Sequence, residues 1–157
     1  MAENLLKEGM KAPGFTAGSS EGGEVSLEAL RGKVVVLYFY PKDDTPGCTK
    51  EACSFRDSES ELQKLGAVVL GVSKDGLGSH GKFKEKYHLN FPLLSDTDGK
   101  VIQAYGVWKD KSIFGHTALG LQRSTFVIDR EGTIAKAWYG VKVDGHADEV
   151  LEVVRGL

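Results

Sequence analysis

Cys48 and Cys53 are the two side chains in this sequence best suited to forming and breaking covalent bonds. They stand in the run Pro41-Lys42-Asp43-Asp44-Thr45-Pro46-Gly47-Cys48-Thr49-Lys50-Glu51-Ala52-Cys53. Cysteine attacks as the thiolate, and a helix start is a place that favours one. Thr45 suits a helix N-cap, and Pro46 suits the first helical position, where a missing N–H leaves nothing unsatisfied. Cys48 then falls third, within the first turn, where unpaired N–H groups and the positive end of the helix dipole both stabilise an anion. Neighbouring side chains add little, because three basic and four acidic residues lie between Lys42 and Asp57. A cation must come from another element. Of the five arginines, Arg123 is the best placed, one residue before an apolar run.

The spacing of the two cysteines carries its own constraint. In an intact helix, five residues amount to ~140° of rotation and ~7.5 Å of rise, which puts the two Cα atoms more than ~8 Å apart. A disulfide needs them within ~7 Å. Either the pair never bonds, or the first turns of the helix unwind when it does. The plainer reading is that both thiols are inert. Free cysteine is among the most buried residue types, and Cys53 lies on a stripe with Ala52, Phe55, Leu62 and Leu65 that reads as core.

The elements that position this segment follow from periodicity. Val34–Tyr40 and Val68–Val72 are β-branched apolar runs of the kind buried on both faces of a sheet. Phe91–Leu94 is a shorter strand candidate, and Ser124–Asp129 and Thr133–Tyr139 read as a hairpin closed by Arg130-Glu131-Gly132. Helices are predicted over about 46–65, 79–88, 99–105 and 146–155. Gly14, Gly18, Gly22 and Gly23 punctuate an N-terminal hairpin or loop. That cluster lacks the Lys-Ser/Thr ending of a phosphate loop. Strand–helix alternation followed by a hairpin and a last helix predicts an α/β fold with a mixed central sheet and helices on both faces. This order fits a thioredoxin-like fold, though other α/β sandwiches share it. The Cys48 segment sits at the carboxyl end of the first long strand, where open α/β sheets place their sites.

Composition bounds the function. The chain has 157 residues, 41% hydrophobic and 27% charged, with 20 Lys+Arg against 22 Asp+Glu. That suits one ordinary globular domain spanning 1–157. The absence of net positive charge argues against nucleic acid. The longest apolar run is seven residues, against the ~20 of a membrane helix, so no membrane partner and a cytoplasmic location are expected. Two cysteines cannot build a disulfide scaffold or a four-thiolate metal site. His80, His88, His116 and His146 are scattered with no pair at metal-ligand spacing, which suggests surface or capping roles, with Ser79 as an N-cap. Asp43, Asp44, Glu51 and Asp57 read as capping or salt-bridge groups. No metal or cofactor is expected.

The run from Pro41 to Asp57 resembles the active-site loop of the peroxiredoxins, whose core is Pro, three residues, Thr, two residues, Cys. The longer string Thr-Pro-Gly-Cys-Thr-Lys-Glu-Ala-Cys resembles the bacterioferritin-comigratory, or peroxiredoxin Q, subfamily of atypical two-cysteine enzymes. Similarity continues through residues 32–41, Gly71–Asp75, Ser79–Phe83, Phe91–Asp96, Tyr105–Trp108 and Arg123–Asp129. The resemblance implies a thioredoxin-like fold with an N-terminal hairpin extension. It implies Cys48 as the peroxidatic cysteine, Cys53 as the resolving cysteine, Thr45 as the hydroxyl beside the sulfur, Arg123 as the arginine from a second strand, and Pro41 as the ring shielding the pocket. It further implies a hydroperoxide substrate, a thioredoxin or other dithiol reductant, and a monomer. One departure is Phe15-Thr-Ala-Gly-Ser-Ser, less apolar than the family pattern after that Phe.

The implied chemistry is attack of the Cys48 thiolate on a hydroperoxide to give a sulfenic acid, which Cys53 condenses to a disulfide. At neutral pH a free thiol is about 3% ionised, so complete ionisation gains roughly 30-fold at most. The remainder must come from stabilising charge as the O–O bond breaks, with Thr45 Oγ1, Arg123 and the first-turn N–H groups as the expected donors. Two other functions stay compatible with the residues. A copper-binding assembly factor of thioredoxin-like fold would use two cysteines and a histidine, although its usual spacing leaves three residues between the cysteines and here there are four. A non-catalytic interaction domain would keep both thiols buried and indifferent to peroxide.

Overall fold

A computed structural model describes residues 5–113 and 116–157. The core strand β3 (Val34–Phe39) is the run Val-Val-Val-Leu-Tyr-Phe, and every one of its residues is buried. Its alternation sends Val34, Val36 and Tyr38 to one face and Val35, Leu37 and Phe39 to the other. Both faces therefore need a covering layer. On the first lie α1 (Pro46–Lys64), α2 (Leu77–Tyr87) and α4 (His146–Arg155), which contribute Ala52, Phe55 and Leu62, then Phe83, then Val150, Leu151 and Val154. The second face is covered by the short α3 (Lys100–Ala104) with Tyr105, Val107 and residues near the N-terminus.

β3 pairs in parallel with β4 (Ala67–Ser73), and β4 in parallel with β5 (Leu93–Ser95). On its other side β3 pairs antiparallel with β8 (Ser124–Ile128), which turns back into β9 (Ile134–Tyr139). An N-terminal hairpin of β1 (Thr16–Ser19) and β2 (Glu24–Ser26) extends the sheet beyond β5. The order across the sheet is β2-β1-β5-β4-β3-β8-β9, a mixed sheet between helical layers. The register Val35 to Ile128 and Phe39 to Ser124 brings the start of β8 beside the end of β3, where α1 begins. That register is what carries Arg123 to the helix start.

The sequence-predicted elements are present, with ends moved by one or two residues. A separate ribbon of β6 (Trp108–Ile113) and β7 (His116–Leu121) was not foreseen. Its charged Lys109-Asp110-Lys111 stretch has no apolar alternation of the kind that marks a half-buried strand. Ser79 does not cap α2 either. The N-cap is Gly76, and Ser79 lies inside the helix with its hydroxyl on Asp43. No described helix is long and apolar enough to cross a membrane.

One glycine is set by close approach. Gly71 pairs with Tyr38 across β3 and β4, and a Cβ at Gly71 would lie 2.9 Å from Tyr38 Oη and 2.9 Å from Leu93 Cδ2. The missing side chain makes room for the Tyr38 ring, which stacks on Phe55 of α1 at 4.8 Å. Gly71→Ala should therefore destabilise the fold by about 1–3 kcal/mol, the usual range for overpacking a filled core. Urea denaturation measures it, and wild-type stability would show that the ring has room to move.

Candidate active site

The chain leaves β3 at Tyr40 and enters α1 through an exposed Pro41 and a half-buried Thr45. Thr45 occupies the N-cap position with extended backbone, and Pro46 follows at the first helical position. The expected side-chain cap is not made. Thr45 Oγ1 turns back and donates to the Lys42 carbonyl at 2.9 Å. With the Thr45 hydroxyl donated to Lys42, the N–H groups of Gly47 and Cys48 have no side-chain cap, at the positive end of the helix where Cys48 sits. Cys48 is 1% exposed and Cys53 is half-buried, and both are free thiols.

A cation arrives from the residue just before β8. Arg123 Nη2 lies 3.4 Å from Cys48 Sγ, and Nη1 donates to Glu51 Oε1 at 2.6 Å. Its guanidinium lies over the start of α1, where a Cβ on Gly47 would meet Nη2 at 3.1 Å. Gly47 thus leaves the space that Arg123 needs to reach the sulfur. By sequence alone Glu51 reads only as a capping or salt-bridge group. Its spacing three residues after Cys48 puts it on the same face of the helix, and that signal locates it beside the arginine.

One guanidinium therefore serves two acidic groups. Burial pulls Arg123 down, but the Glu51 carboxylate and the Cys48 sulfur outweigh burial and hold it above its ordinary value, so it stays charged. Glu51 behaves oppositely. Its side chain is 2% exposed, Oε2 is buried without a hydrogen-bond partner, and burial raises its pKa to about 7 against the pull of Arg123. Pairing on one oxygen cannot offset desolvation of both, so the neutral acid is favoured up to neutral pH. While Glu51 is neutral, the guanidinium charge is left for the sulfur. Tyr38 Oη is also buried without a partner beneath this group, and burial, Glu51 and Cys48 all push its pKa up, keeping it neutral.

The remaining sequence-picked groups find ordinary partners. Asp44 pairs with Lys86, Asp57 with Arg56, and His146 bonds Thr125 Oγ1 at 2.8 Å beneath Trp138. His80 and His146 are buried rather than on the surface, and His88 ends α2 in the left-handed conformation. The side chain of His116 lies outside the described residues. Among the described residues, Asp43, Asp75 and His80 place ligand-type atoms within 4.8 Å of one another, and these atoms are engaged in hydrogen bonds within the protein.

The sequence matches the AhpC/TSA family over residues 9–137. It is 49% identical over 152 residues to peroxiredoxin Bcp of Bacillus subtilis, covering 97% of each chain. Its structure is similar to that of Xanthomonas campestris peroxiredoxin Q, with a TM-score of 0.89 and 41% identity over 98% of this chain and 97% of the other. A structure concerned with alkyl peroxide reduction by the bacterioferritin comigratory protein of the same bacterium is similar at a TM-score of 0.89 and 40% identity, over 99% of this chain and 98% of the other. These neighbours share the thioredoxin-like fold seen here.

Glu51 gives a signed pH effect. Its pKa is higher in the folded state than the unfolded value of 4.5, so the folded protein holds the extra proton between about pH 4.5 and 7. Stability from this group is full below that window and lost as pH rises through it. Glu51→Gln should gain on the wild type between about pH 5 and pH 8, by up to about 3 kcal/mol. Chemical denaturation at the two pH values measures the gain, and a constant or shrinking difference would contradict the assignment.

Proposed function

The chain belongs to the AhpC/TSA family and is a thiol-dependent peroxidase of the Bcp/peroxiredoxin Q type, and from this we propose that Cys48 is its peroxide-reducing nucleophile and Cys53 the thiol that resolves it. The observation that carries the assignment is the 3.4 Å approach of Arg123 Nη2 to a buried sulfur at an uncapped helix start. The thiolate attacks the terminal oxygen of a hydroperoxide, the O–O bond breaks, and the departing alkoxide or hydroxide takes up a proton. The sulfur is left as a sulfenic acid. Cys53 then condenses with it, giving a disulfide and water, and an external dithiol such as thioredoxin returns both thiols by exchange.

The roles of the other residues follow from charge. Oxygen gains negative charge as the O–O bond breaks, and the guanidinium of Arg123 and the N–H groups of Gly47 and Cys48 are the donors assigned to it. Arginine suits the position because it stays charged and can bond sulfur and oxygen together. Thr45 has its hydroxyl proton on the Lys42 carbonyl, so it offers the peroxide lone pairs rather than a donor. Pro41, exposed just before α1, is assigned the part of a ring shielding the sulfur. The reaction needs no metal or cofactor, and because both cysteines lie on α1 it needs no partner chain, which supports a monomer. A cytoplasmic, reducing location suits an enzyme that is recycled by a dithiol.

Thiol counting tests the assignment. One equivalent of hydrogen peroxide should remove both free thiols from the wild type and leave a trappable sulfenic acid in Cys53→Ser. Cys48→Ser should keep its remaining thiol. A Cys53→Ser protein that forms no sulfenic acid would refute the role of Cys48.

A further inference from the structure

Resting on the peroxidase reading of Cys48, we propose that the buried, hydrogen-bonded Asp43–His80 pair positions the active-site loop, holding the start of α1 in place while the turns beyond it open. His80 is 0% exposed, and the Asp43 side chain is 4% exposed. His80 Nε2 lies 2.9 Å from the Leu94 carbonyl, which can only accept, so Nε2 carries hydrogen. Nδ1 lies 2.7 Å from Asp43 Oδ2. That carboxylate also accepts from Ser79 Oγ at 2.8 Å and from Tyr40 Oη at 2.6 Å. Burial pushes Asp43 up, but its bonds to His80, Tyr40 and Ser79 outweigh burial and hold it below the usual carboxylate range. Both ring nitrogens of His80 therefore face oxygen atoms, and three side chains converge on the Asp43 carboxylate.

These bonds tie a residue five places before Cys48 to several elements at once. Its backbone N–H adds another, donating to Asp75 Oδ2 at 2.8 Å. Next to it, Asp44 adopts a left-handed φ of 57° and accepts from Lys86 at 2.8 Å and Tyr87 Oη at 2.7 Å, both at the far end of α2. Beyond the cysteines, Arg56 donates to the Tyr87 carbonyl at 2.7 Å, and Asn90 donates to the Arg56 carbonyl at 3.2 Å. α2 and the turn after it thus grip the chain at 43–44 and at 56, and both cysteines lie between the grips. Inside that stretch, the Lys50–Asp144 pair is exposed at 61% and 82% of its side chains and holds weakly. The opening that a Cys48–Cys53 bond requires is confined to the span between the grips.

The groups facing the pair are Tyr38 and Tyr40 from β3, Asp75 from the loop before α2, Asp44 beside it, and Lys82 and Lys86 on the rim of the cleft toward α2. Among the described residues, His80 is the one nitrogen-bearing side chain hydrogen-bonded to Asp43. Removing it takes away the bond that most lowers the buried Asp43 carboxylate, which then takes up a proton more readily as pH falls.

The experiment measures the second-order rate of Cys48 with hydrogen peroxide per thiolate. A wild type that reduces no peroxide sinks the function itself, and the variants test the positioning pair separately. His80→Asn should lose roughly tenfold or more at about pH 7.5, since small misplacements of reacting groups are costly, and recover part of it toward pH 5. The double variant Asp43→Asn/His80→Asn carries no unpaired charge and should be faster than His80→Asn at the higher pH, without the recovery. His146→Asn removes an equally buried histidine from α4 and should lower thermal stability with no such pH recovery. Tyr40→Phe deletes one hydrogen bond to the same carboxylate, and a loss of roughly threefold or more there keeps the test alive if His80→Asn does not fold. Wild-type rates in His80→Asn or Tyr40→Phe, a pH profile in His80→Asn matching His146→Asn, or a double variant as slow as His80→Asn would each overturn the proposal.

Discussion

An α-helix holds positions five apart on different faces, and in this protein those positions are the two cysteines that must meet. Much else about the site answers to that mismatch. α1 must be well enough formed to aim its open N–H groups at Cys48, yet the turns carrying Cys48 and Cys53 must be able to come apart. A helix can do both if its ends are held by different means. The distal half of α1 is held by packing, through Phe55 stacked on Tyr38 and Leu62 in the core beside α4. The proximal half buries only the small side chains of Cys48 and Ala52 and is otherwise held by polar contacts with Arg123 and Asp144.

The electrostatics obey the same economy. The charge of the chain is balanced overall, and one guanidinium, brought over by the β3–β8 register, supplies the positive charge beside the sulfur. Glu51 competes for that charge. Buried with one unpartnered oxygen, it favours its neutral form up to about pH 7 and so yields the arginine to the sulfur where a thiolate is wanted. The buried acid lowers stability at alkaline pH, a familiar exchange of stability for function at a site.

The frame and the nucleophile were legible because they rest on local rules. The apolar run 34–40 reads as a doubly buried strand, and Thr45-Pro46-Gly47-Cys48 reads as a helix start whatever surrounds it. Arg123 was legible from its place before a strand, because strand pairing brings such residues across a sheet. The partners were harder to see. Nothing local told Thr45 to donate backward to Lys42 instead of capping, since with Pro46 following either choice suits the helix. Nothing in Ser79-His80 disclosed that this histidine would be fully buried against a loop residue 37 positions earlier in the chain. Glu51 lay in between: its helical spacing from Cys48 was visible, but its desolvation depends on the packed neighbours. The β6–β7 ribbon escaped because a ribbon outside the main sheet does not need the apolar alternation that reveals a strand.

Amide hydrogen exchange across α1 addresses the central claim directly. In the reduced protein, amides from about 49 to 64 should be protected by the helix. After one equivalent of hydrogen peroxide, amides between Cys48 and Arg56 should lose protection by roughly tenfold or more, while 57–64 and β3 keep theirs. A disulfide-bonded protein with α1 protected along its whole length would contradict the account, because an intact helix cannot bring those two sulfurs together.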